Sequence, residues 1–455
     1  MSDNILNTKL PLLTKLTYAL PAFSLAVIGI PVYVYMPKFY TDVIGLNIAF
    51  IGGILLAARI FDAVTDPAIG LLSDRTMSRF GRRRPWIAIG SIFTAAAVLF
   101  LFNPPERLNI NLNIWFGVSV FMLFLFWTVV VVPYESLGPE LTFSYNDRNS
   151  LFSFRDGFLI AGTLAAAASP AIVKGAAGIA SSPEDERYVF FVLSMIYAPL
   201  IILSCLWCAA VLKEKDISQK REHLSVTKGL SYTFKNRPFI ILLAAYTISA
   251  IGNNLPATLI LFYVQYVLQS PLADLFLLLY FITGIIFLPL WIKAAERYGK
   301  KKAWLSAMAI NTGAFTGVFF LGAGDTVMYG ILVFLSGTGF GATLALPSSM
   351  QADVIDYDEL MTGERREGQY VGIWSFAKKA AAAFGVGIGL TILGLSGYEP
   401  NIQQSENVTF TLRVLYALVP CLCNAAGFII ALNYPITGAE FDRIHKSIQE
   451  KKNGN

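Results

Sequence analysis

The chain has 455 residues, of which 55% are hydrophobic and only 14% charged, with a mean hydropathy of +0.58 and a formal net charge of +5. Soluble domains run at about 45–50% apolar and about 25% charged, so these charges are too few to cover a soluble surface. Abundant aromatic residues exclude a disordered chain, and four cysteines exclude a disulfide scaffold. The composition is that of an integral membrane protein.

Apolar runs of about 20 residues suffice to cross a bilayer as helix. In chain order, uncharged runs occupy 16–37, 86–105, 108–134, 157–173, 188–212, 238–273, 275–292, 303–324, 326–352 and 414–439. Two further segments, 43–73 and 368–398, are as apolar but hold a few ionisable residues. The end of 238–273, "VLQSPLA", reads as a short turn, so that run counts once. Twelve α-helical spans are therefore expected. A β-barrel would show alternating segments of about ten residues, a pattern missing from this sequence. The first run has no small-residue cleavage site, so no cleavable signal peptide is expected.

Basic residues set the orientation. With both termini inside, the inside segments hold 26 of the 35 Lys and Arg residues. Lys38, Arg107, Lys174, Arg187 and Arg413 fall outside, and Arg59, Arg155, Lys378 and Lys379 fall within or at the ends of spans. This bias is the one the positive-inside rule expects. The positive charge thus serves topology and calls for no nucleic-acid partner.

The longest polar interruption divides the spans six and six. The expected organisation is an N-terminal six-helix half over 1–212, a cytoplasmic linker over 213–237, a C-terminal six-helix half over 238–439 and a cytoplasmic tail over 440–455. An internal repeat supports the cut. Arg79-Phe80-Gly81-Arg82-Arg83-Arg84-Pro85-Trp86 returns 218 residues later as Arg297-Tyr298-Gly299-Lys300-Lys301-Lys302-Ala303-Trp304, each copy expected in the loop between the second and third span of its half. Two six-helix pseudo-repeats with a mid-membrane site between them are a transporter architecture.

Ionisable residues inside spans carry most of the functional information, because burying them in a bilayer is costly. The second span reads "AARIFDAVTDPAIGLLSD". At about 100° per residue, Arg59, Asp62 and Asp66 fall within about 60° of one another, with Thr65 beside them. Two neighbouring carboxylates repel, so they tend to hold a proton or share a cation. The plainer alternative is an Arg59–Asp62 pair that only ties helices together.

Several motifs carry a family resemblance. Gly70, Asp74 and Arg75, followed by Gly81, Arg82 and Arg83, resemble the signature loop of the major facilitator superfamily. On that resemblance Gly70 lets two helices approach closely, and Asp74 pairs with a neighbouring arginine when the cytoplasmic side closes. The stretches "FYTDVIGL" (39–46), "ARIFDAVTDPAIG" (58–70), "FGRRRPWIAIG" (80–90), "VPYESLGPELT" (132–142) and "ADVIDYDE" (352–359) resemble the glycoside–pentoside–hexuronide:cation symporters, the family of the melibiose permease. The resemblance runs nearly the whole length and implies an all-α polytopic protein with the twelve-helix major facilitator fold. It also implies a sodium, lithium or proton site formed by Asp62 and Asp66 with a fourth-helix hydroxyl, here Thr128. Thr65 replaces an Asn of the melibiose permease and remains an oxygen ligand.

The sugar-binding positions depart from that pattern. Leu25 and Ala26 stand where the melibiose permease has a Lys–Asp pair. Val131 and Glu135 stand at its fourth-helix Asp and Trp positions, and Leu344 at a tenth-helix Trp. Arg155 and Lys379 match basic residues of the family, and Trp127 stands where an aromatic is expected. Galactoside transport is therefore not expected, and Arg155, Lys379, Trp127 and Glu135 are the candidate contacts for a solute, an anionic one such as a uronate being favoured. Vertebrate lysophospholipid symporters resemble the same family, and Leu25, Ala26, Val131 and Leu344 would suit an acyl tail.

The remaining motifs are weak. Gly337-Thr338-Gly339-Phe340-Gly341 lies in an apolar span and follows no strand, so helix packing explains it better than nucleotide binding. Cys205 and Cys208 lie within a span, where a structural role is expected. His223 and His445 are the only histidines, too few for a His-based zinc site or triad. Asn407-Val408-Thr409 is a glycosylation sequon in an outside loop, relevant only in a eukaryotic source. Asn253 and Asn254 precede Pro256 and read either as a substrate contact or as a packing kink. The expected function is secondary active symport of a sugar-like solute with sodium or a proton by alternating access, the alternative being a cation-coupled amphipath transporter. An enzyme lacks a nucleophile–base constellation here, and a sensor lacks an output domain. Expected partners are the solute, the coupling cation and the lipid bilayer of the cell membrane (the inner membrane in a Gram-negative source), with the chain acting as a monomer and no resident cofactor.

Overall fold

Each apolar run becomes a helix in the computed structural model of the protein, which describes residues 10–105, 111–142, 145–179, 182–212, 214, 233–362, 366–437, 440, 441, 443 and 447. Most of the 213–237 and 440–455 segments, with Arg107, His223 and His445, lie outside the described residues, as does the side chain of Leu344. The chain divides into two compact units, Met1–Gln219 and Lys220–Asn455. The first holds α1 (Leu12–Val43), α2 (Ile48–Arg75), α3 (Arg84–Phe102), α4 (Leu112–Leu141), α5 (Tyr145–Ala177) and α6 (Pro183–Val211). The second holds α7 (Arg237–Tyr266), α8 (Ala273–Tyr298), α9 (Lys300–Phe319), α10 (Thr326–Thr362), α11 (Glu367–Leu395) and α12 (Glu406–Ala431).

Local chemistry sets the helix starts. Asn47, Asn111, Asn236 and Ser405 cap α2, α4, α7 and α12 by accepting backbone N–H groups of the first turn. Ser182 and Asp185 form a reciprocal capping box at α6. The wide π-turns of α1 and α12 lie beside Pro31, Pro37 and Pro420, where a missing N–H breaks the regular ladder. The turn expected in "VLQSPLA" follows Tyr266, and Gln269 there adopts a positive φ of 52°.

Eleven of the described helices are long and apolar enough to cross a membrane. The exception among the expected spans is α9. It opens with three lysines and carries Asn311, Thr312 and Thr316, which lowers its apolarity. Its buried face, with Trp304, Ala307, Met308 and Phe315, packs instead against α10 and α12 of its own unit.

The two units repeat the same packing scheme. In the first, α1 packs on α5 and α6, α2 on α4, and α3 on α4 and α6. In the second, α7 packs on α11 and α12, α8 on α10, and α9 on α10 and α12. The repeated basic motif differs in form, however. Residues 76–83 make a loop between α2 and α3, whereas α8 runs through Tyr298 and only Gly299, at φ 90°, separates it from α9.

Candidate cation and solute sites

Three side chains of the first unit converge on one point. Asp62, one turn before Pro67, is buried, and Thr128 of α4 is buried opposite it. The Thr128 hydroxyl lies 2.6 Å from Asp62 Oδ1 and 3.1 Å from Asp66 Oδ1. A hydroxyl carries one hydrogen and can donate to only one carboxylate at a time. The other oxygen pair then faces lone pair to lone pair, which is relieved by a proton or a cation.

Arg59 completes the cluster from the preceding turn. Its Nη1 sits 3.5 Å from Asp62 Oδ2, and its guanidinium lies 4.4 Å from the ring centroid of Tyr33 and 4.5 Å from that of Phe124. Cation–π contacts of this kind hold the arginine beside the aspartate without neutralising it. Arg59, Asp62 and Asp66 counted by themselves sum to one formal negative charge. Among the described residues no group of three His, Cys, Asp or Glu side chains forms a metal site, so the oxygen ligands here are two carboxylates and a hydroxyl. The Thr65 hydroxyl donates to the Asp62 carbonyl at 3.2 Å, a bond within its own helix that leaves the oxygen's lone pairs for an acceptor role.

The candidate solute contacts are more dispersed. Trp127 leans on Tyr33, ring centroids 6.3 Å apart, and so adjoins the Arg59 cluster. Glu135 is exposed on α4. Arg155 on α5 lies over the Phe152 ring at 4.7 Å and is bound to Asp156 by two hydrogen bonds of 2.7 and 2.9 Å. Lys379 belongs to α11 of the second unit and is half-buried. Leu25 is buried, and the Ala26 Cβ faces Gly162 of α5, where a glycine Cβ would come within 2.9 Å. Both first-helix positions are here taken up by packing.

The signature loop is pinned by three carboxylates. Arg83, itself buried, places Nη2 2.8 Å from Asp74 and 2.9 Å from Glu140, and Arg82 adds a second contact of 2.9 Å to Glu140. Glu214 accepts the backbone N–H groups of Arg82, Arg83 and Arg84 at 2.7–2.9 Å, meeting the unpaired donors at the start of α3. Gly81 permits this approach: it adopts φ 104°, and a Cβ there would fall 2.6 Å from the Glu214 carboxylate. Arg75 ends α2 exposed. Gly70 does not have the packing role expected of it, since a Cβ would sit 3.7 Å from Val132 in ordinary contact. The close approach of this region is at Gly90, where a Cβ would meet Val129 at 2.8 Å. Sequence reasoning missed Glu214, whose position at the start of a polar linker gave no sign of a partner.

A cavity of about 230 Å³ opens in the second unit between α7, α8, α9 and α10. Asn253 and Asn254 both line it, together with Tyr246, Tyr280 and Trp304. The glycines of α10 pack as expected: a Cβ on Gly337 or Gly341 would strike the Tyr280 or Gly284 carbonyl of α8.

Comparison with known proteins gives these features a family. The family profile for MFS/sugar transport proteins matches residues 17–438. The chain is similar to an uncharacterised symporter of Synechocystis sp., 28% identical with both chains fully covered. It is also similar to the glucuronide carrier protein homolog of Escherichia coli, 27% identical over 92% of this chain and 91% of that one. Among solved structures, a nucleoside transporter (a D323A mutant) superposes with a TM-score of 0.67 at 12% identity, covering 92% of this chain and 99% of its own, which bears on the fold alone. With two six-helix units, the signature loop and a profile match over nearly its whole length, the chain belongs to the MFS/sugar transport protein family and is an integral membrane transporter, not an enzyme.

Proposed function

We propose that this transporter couples the movement of a monovalent cation to symport of a sugar-like solute, with Asp62, Asp66 and Thr128 as the cation site. The observation that carries the reading is the Thr128 hydroxyl set between the carboxylates of Asp62 and Asp66. A sodium ion, lithium ion or proton there relieves the repulsion of the two carboxylates. Hard oxygen donors suit such ions, by extension from calcium sites. A charged cluster crossing a low-dielectric region costs about 2.5–3.5 kcal/mol per charge on insertion scales, so reorientation is favoured only when the cation is bound.

For the solute, the reading is a glycoside carrying an acidic group. Arg155 supplies a guanidinium whose present partner, Asp156, is its exposed neighbour and can yield to a solute carboxylate. The similarity to a glucuronide carrier homolog points the same way. The acyl-tail alternative has less support, because Leu25 is buried and Ala26 is taken up against Gly162. Uptake by the purified protein in liposomes tests the reading. A glucuronide should accumulate under an imposed sodium or proton gradient, and melibiose should accumulate several-fold less. Saturable melibiose uptake equal to that of any acidic glycoside would overturn it.

A further inference from the structure

The cavity of the second unit has a chemistry that the cation site does not explain. No Asp, Glu, Lys or Arg lines it. Its walls are aromatic: Tyr280 packs on Phe340 and Phe281 with centroids 5.0 and 5.5 Å away, and Tyr246 stacks on Trp374 at 4.3 Å. Gly284 makes the wall possible, since a Cβ there would meet the Phe340 ring at 2.5 Å.

Polar groups in this lining fall into two sets. One is satisfied internally. Asn424, fully buried on α12, donates to Asn253 Oδ1 at 2.9 Å and accepts from the Ser249 hydroxyl at 2.5 Å, which holds Asn253 in place. The other set is open. The hydroxyls of Tyr246 and Tyr280 and the indole N–H of Trp304, a side chain only 1% exposed, have no hydrogen-bond partner among the described residues. Asn254 spends its amide N–H on the Ala250 carbonyl at 2.7 Å, which leaves its oxygen as an acceptor. Neither the two hydroxyls nor the indole N–H is fully buried, so all three open onto the cavity, where water or a solute can meet them.

We propose that this cavity is a solute-binding site for an uncharged six-membered ring carrying hydroxyl groups, such as one pyranose of a glycoside. The absence of Asp, Glu, Lys and Arg among the described lining residues rejects a charged group, which would enter without a partner. Ring faces of Tyr246, Tyr280 and Phe340 cover the apolar face of a pyranose. Hydroxyl groups both donate and accept, and so match an N–H donor, an amide oxygen and two phenols placed singly. A flat base would need a paired donor–acceptor edge, and Asn253, whose amide could supply one, is tied to Asn424. The volume lies below the roughly 300–1,000 Å³ of pockets for drug-sized ligands and suits a single ring. The assignment rests on the reading of the chain as a glycoside symporter and adds where a neutral ring is held.

The test is equilibrium binding of tritiated methyl glucoside, galactoside and xyloside to the purified full chain in nanodiscs. At least one should bind saturably. Tyr280→Phe, which keeps the ring and removes the hydroxyl, should weaken that binding about tenfold, and Trp304→Phe should do the same. Ala257 is exposed at the cavity rim, so Ala257→Leu should obstruct binding while leaving the thermal midpoint unchanged. Failure of all three glycosides to bind would overturn the proposal and mark a water-filled packing void. Binding unaffected by both Tyr280→Phe and Ala257→Leu would overturn it by placing the site elsewhere. Cation coupling is read separately: Asp62→Asn should remove any cation dependence without cancelling the effect of Tyr280→Phe.

Discussion

The second helix of each half carries opposite chemistry at equivalent positions. By the 218-residue offset of the basic motif, Asp62, Thr65 and Asp66 of α2 correspond to Tyr280, Thr283 and Gly284 of α8. In the first unit those positions hold two carboxylates against Thr128; in the second they hold a phenol and a gap filled by Phe340. The threonine between them keeps one role in both, since Thr283 also donates to a carbonyl of its own helix, that of Leu279. Trp86 and Trp304 diverge likewise, for Trp86 donates to the Thr76 hydroxyl at 2.8 Å whereas Trp304 lines a cavity. The difference teaches that one packing scheme, used twice, places carboxylates at these positions in one half and a phenol and a glycine in the other. Of these corresponding positions, only those of the first unit carry charged side chains.

Transplanting one chemistry into the other half should be the harshest way to break this comparison. Gly284→Asp sets a Cβ 2.5 Å from Phe340 and an unpaired carboxylate beside an uncharged cavity. Overpacking costs about 1–3 kcal/mol, and the charge adds several more. We expect no monodisperse protein on size exclusion. The reverse change, Asp66→Gly, should purify normally and lose only cation dependence.

The two copies of the basic motif should differ next. Arg83 and Glu140 are both largely buried, so Arg83→Ala leaves a carboxylate with one partner fewer and should cost about 3–5 kcal/mol. Lys300 pairs with Asp353 at 2.6 Å from a more exposed position, and Lys300→Ala should cost about 1 kcal/mol or less. Thermal unfolding in detergent should therefore show a large drop for the first variant and a small one for the second. Equal drops would show that the two motifs are held alike.

A finer contrast lies within α2 and α4. Thr128→Ala removes the hydroxyl shared by two carboxylates and should weaken the apparent cation affinity about tenfold, in line with about 1.5–3 kcal/mol for a hydrogen bond to a charged group. Thr65→Ala removes only a bond to its own backbone and should change that affinity less than about twofold. Cation titration of solute binding separates the two.

How much of this was legible in the sequence depends on how local each feature is. Asp62 and Asp66 declare themselves through helical spacing, and the spans through runs of apolar residues, because both are properties of one segment. The hydrogen bond of Thr65 was not legible, since a helical threonine has its own i−3 and i−4 carbonyls within reach and spacing cannot tell which acceptor it takes. Glu214 finds its partners across more than 120 residues of intervening chain, at the exposed start of a helix. The cavity is less legible still. Asn253 and Asn254 could be singled out, but the choice between contact and kink needed Tyr280 and Trp304 from two other helices, brought close by Gly284. α9 falls short of a standard span because Asn311, Thr312 and Thr316 dilute its short apolar run.

The central claim is that the carboxylates of Asp62 and Asp66, set on either side of the Thr128 hydroxyl, make reorientation depend on a cation. The most direct measurement is solute accumulation by Asp62→Asn protein in liposomes under an imposed sodium or proton gradient, set beside downhill exchange in the same vesicles. The account predicts that accumulation falls to the equilibrium level while downhill flux of the solute persists. Accumulation at the wild-type level with unchanged cation dependence would contradict it, and would reduce Asp62 to a structural partner of Arg59.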